Sequence, residues 1–115
     1  MTQRNDGVYL HHIYDAISKT ETYLENISYE TFSKNTLIQD GVIRQIEIIG
    51  EATKNLSESI RIKYTNVPWK DIAGMRDKLI HGYFGIDIEA VWETTKQDLP
   101  SLKSEVKKAL KEFSL

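Results

Sequence analysis

The chain has 115 residues, 15 basic and 17 acidic, with a formal net charge of −2 and no cysteine. That length suits one domain with a real core and little room for a second. The missing thiols exclude disulfides, zinc-thiolate centres and a cysteine nucleophile, and the mixed charges provide no overall basic field for a polyanion, so any such site has to be local. The start, MTQRND, lacks the apolar run of a signal peptide, and no stretch approaches the roughly 18 apolar residues of a membrane span. The expectation is a soluble, cytoplasmic protein.

Asp6 is placed to cap a first helix, whose apolar positions Leu10, Ile13, Ile17, Leu24 and Ile27 follow three-four spacing with Thr20 filling one step. Ser28 to Lys34 breaks the pattern and has room for one short turn, with Tyr29 and Phe32 against the bundle. A second helix starts at Asn35 on the stripe Val42, Ile46, Ile49, Thr53, Leu56 and Ile60. Ile43 and Ile48 lie off that stripe, so this helix is expected to be central or at a subunit interface. Gly41 and Gly50 each cost up to about 1 kcal/mol relative to alanine in a helix interior, which points to close backbone approach or to simple tolerance.

Ser57 to Tyr64 reads as the tail of that helix or as a separate short one. Pro68 suits a first helical turn, and Trp69, Ile72, Met75 and Leu79 mark the buried side of a short helix ending near Gly82. Asp87 then caps the last long element. Its stripe of Ile88, Trp92, Thr95, Leu99, Leu102, Val106, Ala109 and Phe113 keeps phase through Pro100, which argues for one kinked helix, although Asp98 could cap a restart. No strand alternation or repeat interrupts this pattern. The fold class expected is all-α, an up-and-down bundle of four to five helices in a single domain, residues 1–115.

Chemistry concentrates in VPWKDIAGMRDKLIHGYFGID, where Arg76, Asp77, His81 and Tyr83 fall within eight residues. Arg76 and His81 stand about 140° apart on an ideal helix. They converge only if His81 occupies a frayed last turn or if two copies approach across a twofold axis. Cleavage of RNA by its own 2′-hydroxyl needs proton transfer and stabilisation of an extra negative charge; histidine supplies the first and arginine the second, with no metal demanded. A helix C-terminus favours a protonated imidazole, and Asp77, four residues earlier, is placed to orient the ring. Taken singly, His81 reads as a helix-ending residue, Arg76 and Asp77 as a solvated face, and Tyr83 as an aromatic plug.

The run Arg76, His81, Tyr83 resembles the R-x4-H-x-Y signature of HepT-type toxins in the HEPN superfamily. RQIEIIGEATKNLS from Arg44 and VWETTKQDLPSLK from Val91 resemble the same family. The resemblance implies a HEPN-like homodimer, the toxin of a type II toxin-antitoxin pair, acting as a metal-independent ribonuclease with Arg76 and His81 in the cleft between protomers. It also implies a partner, a nucleotidyltransferase antitoxin of the MntA type, that transfers AMP to Tyr83. Bulky anionic groups there would fill the cleft, repel RNA and occupy Arg76. No cofactor and no membrane partner is implied.

Arg44, Lys70 and Lys78 are candidates for steering RNA, each also readable as a solvated charge. His11 and His12 are adjacent, a poor ligand geometry on one helix face, so no metal site is expected. Glu47 and Glu51 lie on a helix flank, where they are expected to meet basic residues of a neighbour. The alternative to a nuclease is a non-catalytic helical dimer that holds a nucleotidyltransferase or a nucleotide.

Overall fold

The computed structural model describes residues 5–79 and 85–113. These form α1 (Asp6–Tyr23), α2 (Tyr29–Lys34), α3 (Thr36–Lys54), α4 (Glu58–Lys63), α5 (Trp69–Ala73), α6 (Met75–Leu79), α7 (Ile88–Glu93), a π turn (Thr94–Asp98), α8 (Leu99–Leu110) and a final 3-10 turn (Lys111–Phe113). The fold is all-α, as the spacing predicts. Among the described residues no helix is long and apolar enough to cross a membrane.

Helix α1 turns Leu10, Ile13 and Ile17 fully into the core. Thr20 fills its step in that stripe by donating its hydroxyl to the Ala16 carbonyl at 2.9 Å, so its polar atom is satisfied where it is buried. Asp6 behaves differently from the expected cap. It is the first residue of the helix and 1% exposed, and its carboxylate accepts the Ser57 N–H at 2.8 Å and the Ser57 hydroxyl at 2.6 Å. The cap position falls to Asn5, whose side chain makes no cap bond. Two hydrogen bonds to a partner 51 residues away outweigh one local bond, and helix spacing carries no sign of them. Ser57 in turn caps α4, which is a separate helix rather than a tail of α3.

Helix α3 is central: it packs against α1, α2, α5 and α6. Asn35 caps it by accepting the Ile38 N–H at 3.0 Å, and Val42, Ile46 and Ile49 face the core. The glycines on its flanks mark close approach. A methyl on Gly50 would sit 3.3 Å from the Ala73 carbonyl oxygen, and one on Gly41 would sit 3.3 Å from the Tyr23 ring. Helix α2, capped by Ser28, buries Phe32 completely, and Tyr29 and Phe32 both pack on Trp92.

The expected single helix after Pro68 is two helices, broken at Gly74 between α5 and α6. Trp69, Ile72, Met75 and Leu79 are its buried side, as expected. Pro68 stands one position earlier than expected, at the N-cap. The expected stop at Gly82 lies outside the described residues.

From Asp87, which accepts the Ala90 N–H at 3.1 Å as a cap, the chain runs continuously to Leu110. Pro100 lacks the N–H that would bond the Lys96 carbonyl, and in a regular α-helix its ring would strike that carbonyl. The chain accommodates this by widening into the π turn, where the Leu99 N–H bonds Thr94 instead, and Asp98 makes no side-chain cap. A π turn holds more residues than an α turn, so Val91, Thr95 and Leu99, four apart, all reach the buried side. At the end of the chain Glu112 takes an ion pair from Lys63 at 2.8 Å and a hydrogen bond from Tyr64, which pushes the Tyr64 phenol up to about 12.

Removing the Asp6 carboxylate leaves the Ser57 N–H without its acceptor. A hydrogen bond to a charged group contributes about 1.5–3 kcal/mol, so Asp6→Ala is expected to lower unfolding free energy by about 2–3 kcal/mol, with Asp6→Asn recovering part. Urea denaturation checks this, and an unchanged midpoint for Asp6→Ala would refute it.

Candidate functional site

Arg76 owes its position to two neighbours. Close approach at Gly50 brings α5 against α3, and α6 follows at once after Gly74. Met75 and Leu79 are buried, which turns Arg76, the residue after Met75, to the outer flank of α3. There its Nε donates to Glu47 Oε2 at 3.0 Å, and its NH1 donates to Asp77 Oδ1 at 3.4 Å. The second Glu47 oxygen lies 3.9 Å from NH1 of Arg44. One carboxylate therefore sits between two guanidiniums. The Glu47 bond raises the pKa of Arg76, so its positive charge is secure, while the guanidinium's other donors stay available for a ligand.

Arg76 and Glu47 belong to an open cleft of about 390 Å³ where α1, α3 and α6 meet. Arg44, Ile48 and a second carboxylate, Glu51, line it from α3, and Tyr9 and His12 line it from α1. Of the residues singled out for RNA steering, the fold brings Arg44 to Arg76. Lys78 faces elsewhere, and Lys70 is an exposed residue of α5 that lines neither of the two clefts described here.

A larger cleft, about 620 Å³, opens on the other side of α6. Asp71, Asp87, Glu93, Asp98 and Glu105 line it with Lys78. Five carboxylates against one ammonium repel a phosphate backbone, so size alone is a poor guide and the smaller cleft is the better candidate for a polyanion.

His81 and Tyr83 lie outside the described residues. Their flanks are described: Leu79 is the last described residue of α6, and its carbonyl accepts the Asp87 N–H at 3.0 Å. Asp77, expected to orient His81, makes its described bond to Arg76. Glu47 does meet a basic residue of a neighbouring helix, Arg76, and also Arg44 of its own, although spacing does not name the partner; Glu51, of which the same was expected, lines the cleft beside them. Tyr9 and His12 were not singled out for this cleft, because nothing in α1 indicates which side of α3 it packs on.

The family model described as Ribonuclease HepT-like matches residues 13–109. The chain is similar to "Putative RNase MJ1216" of Methanocaldococcus jannaschii, 42% identical over 113 residues that cover 98% of this chain and 93% of that protein. It is similar to "Probable ribonuclease HepT" of Thermococcus cleftensis, 42% identical over 109 residues, 95% of this chain and 99% of that one. It also matches "Gamma-glutamylcyclotransferase and putative RNase MJ0434" of M. jannaschii, 47% identical over 106 residues. There it covers 92% of itself and spans 48% of the relative, about half its length. No solved structure matches.

The Glu47 contact makes a prediction independent of any activity. An Nε–H held by a carboxylate exchanges slowly with solvent, so the Arg76 Hε resonance is expected in ¹⁵N-edited NMR of the wild type and broadened away in Glu47→Ala. Glu47→Gln, which keeps an acceptor, should restore it in part. An Arg76 signal indifferent to Glu47→Ala would show that the pair does not persist in solution.

Proposed function

This chain belongs to the HepT-like ribonuclease family, and from that premise we propose that it is a metal-independent endoribonuclease acting through Arg76 and His81 in a cleft between two copies of the chain. The observation that carries the reading is Arg76 itself. It is a secured cation at the surface, pinned at Nε by Glu47, beside a second guanidinium in an open cleft.

In the proposed reaction the 2′-hydroxyl of the RNA attacks the adjacent phosphorus. The P–O bond to the 5′-oxygen of the next nucleotide then breaks, leaving a 2′,3′-cyclic phosphate and a 5′-hydroxyl. His81 handles the proton at the attacking or the leaving oxygen, and two copies of His81 across a twofold axis divide the roles between them. Arg76 donates from its unpinned edge to the phosphorane, whose charge exceeds that of the ground state, so the contact strengthens as the barrier is climbed. Asp77 orients His81. Arg44, which lines the same cleft, draws in the strand.

Pairing of two copies has a surface to use. Leu37 is 81% exposed and lies one turn from Gly41, against which the partly exposed Tyr23 packs, so apolar surface is present on the helix that also carries Arg44 and Glu47. The same reading makes the chain the toxin of a type II toxin-antitoxin pair, acting in the cytoplasm. A nucleotidyltransferase antitoxin of the MntA type silences it by transferring AMP from ATP to the Tyr83 hydroxyl, which bonds the α-phosphorus as pyrophosphate leaves, adding negative charge to the segment that carries His81.

Purified protein is expected to cut RNA in excess EDTA and leave cyclic-phosphate ends. His81→Ala should abolish cutting with the dimer intact by light scattering, and Arg76→Ala should lower kcat about 100-fold or more, as removal of a transition-state donor does elsewhere. Cutting that requires added metal, or full activity in His81→Ala, would reject this mechanism. Intact mass after incubation with the antitoxin and ATP should show additions of AMP that vanish in Tyr83→Phe. Undiminished labelling in that variant would take Tyr83 out of the scheme.

A further inference from the structure

Guanidiniums answer the phosphate of a nucleotide and leave its base unaccounted for. The wall of the cleft opposite Arg76 has the residues for it. Tyr9 and His12 are three apart on α1, hence on one side of the helix, and their rings meet edge to face at 6.1 Å and 86°. Beneath them the floor is Ile48 and Ala52 of α3. Arg44 stands in line with that floor on α3 and Arg76 beside it on α6, and the carboxylates Glu47 and Glu51 balance the two guanidiniums. The cleft thus joins two guanidiniums, one of them pinned by Glu47, to an apolar floor and two aromatic rings. Within one nucleotide a phosphate, a ribose and a base follow in that order, the base branching off the backbone, and about 390 Å³ falls within the range of about 300–1,000 Å³ typical of small-ligand sites.

We infer that Tyr9 and His12 form a nucleobase subsite of the Arg76 cleft, taking the base next to the phosphodiester that Arg76 holds. The inference rests on the ribonuclease reading above and adds to it a substrate class: single-stranded RNA, whose unstacked bases are free to lie on aromatic rings, in preference to a duplex. Stacking is tolerant of base identity because every base has a π face, so the subsite contributes affinity and registration of the strand rather than sequence choice. Tyr9 and His12 hold the base and take no part in proton transfer.

The experiment pairs protein variants with altered RNA. The probe is a fluorescein-labelled single-stranded RNA decamer, with a second version carrying an abasic nucleotide beside the cleavage position. Affinity is read by anisotropy on the His81→Ala background, and KM and kcat are read on the cleaving protein. Tyr9→Leu keeps apolar bulk in a half-buried position, and His12→Ala alters an exposed one, so each variant is expected to fold, with thermal unfolding as the check.

Stacking contributes about 1–3 kcal/mol per base, so each variant should weaken binding of the intact decamer by about 5- to 150-fold, with the loss appearing in KM. The abasic decamer should bind the wild type more weakly by a similar factor and bind Tyr9→Leu with little further loss, the non-additivity that marks two groups in contact. Affinities of both variants equal to wild type, or equal abasic penalties in wild type and Tyr9→Leu, would overturn the subsite while cleavage by the wild type left the nuclease reading standing. A wild type that neither binds nor cuts the decamer would overturn both.

Discussion

The ion pair between Glu47 and Arg76 depends on a contact made elsewhere, the seating of α5 against the backbone of α3 at Gly50. Glu47 precedes that glycine by three residues, less than one helical turn, and Arg76 follows Ala73, whose carbonyl oxygen would lie 3.3 Å from a methyl on Gly50. A side chain at Gly50 would press on α5, and α6 would feel the shift. The distance of 3.0 Å between Glu47 and Arg76 is therefore set by packing and then refined by charge. An exposed pair of this kind contributes little to stability by itself. Its value is directional, since it decides which edge of the guanidinium faces the cleft.

A net charge of −2 on the whole chain gives no hint of binding a polyanion, yet the two clefts flanking α6 differ sharply. On the α1–α3 side, Arg44 and Arg76 balance Glu47 and Glu51. On the α7–α8 side, carboxylates dominate. A nearly neutral chain thus offers one cleft whose charges balance, with guanidinium donors open to a phosphate, and another that repels it. At physiological ionic strength the Debye length is about 8 Å, so each face acts largely by itself.

Much of the fold was legible because helices announce themselves within the range of their own hydrogen bonds. The stripes from Leu10 to Ile17 and from Val42 to Ile49 follow a period of 3.6, and Asn35 and Asp87 cap as their types suggest. What could not be read were choices decided across helices. Asp6 looks like a cap and instead reaches Ser57; Pro100 looks like a kink, and the chain answers with a π turn whose cost is spread over five residues. The candidate site divides in the same way. Arg76 was visible from its neighbours in sequence, whereas Glu47, Tyr9 and His12 reach the cleft only through the packing of α1, α3 and α6, which no single helix encodes.

Helix α6 is the partition between the two faces. Its described residues run from Met75 to Leu79. Positions two apart on a helix differ by about 200°, so Arg76 and Lys78 project to nearly opposite sides. Met75 and Leu79, which share a side at four apart, anchor the turn in the core and leave it no freedom to roll. Anchored in this way, the turn gives Arg76 to the cleft on the α1–α3 side and Lys78 to the acidic one. The Leu79 carbonyl accepts the Asp87 N–H at 3.0 Å, so the element that fixes Arg76 is also joined to the start of α7.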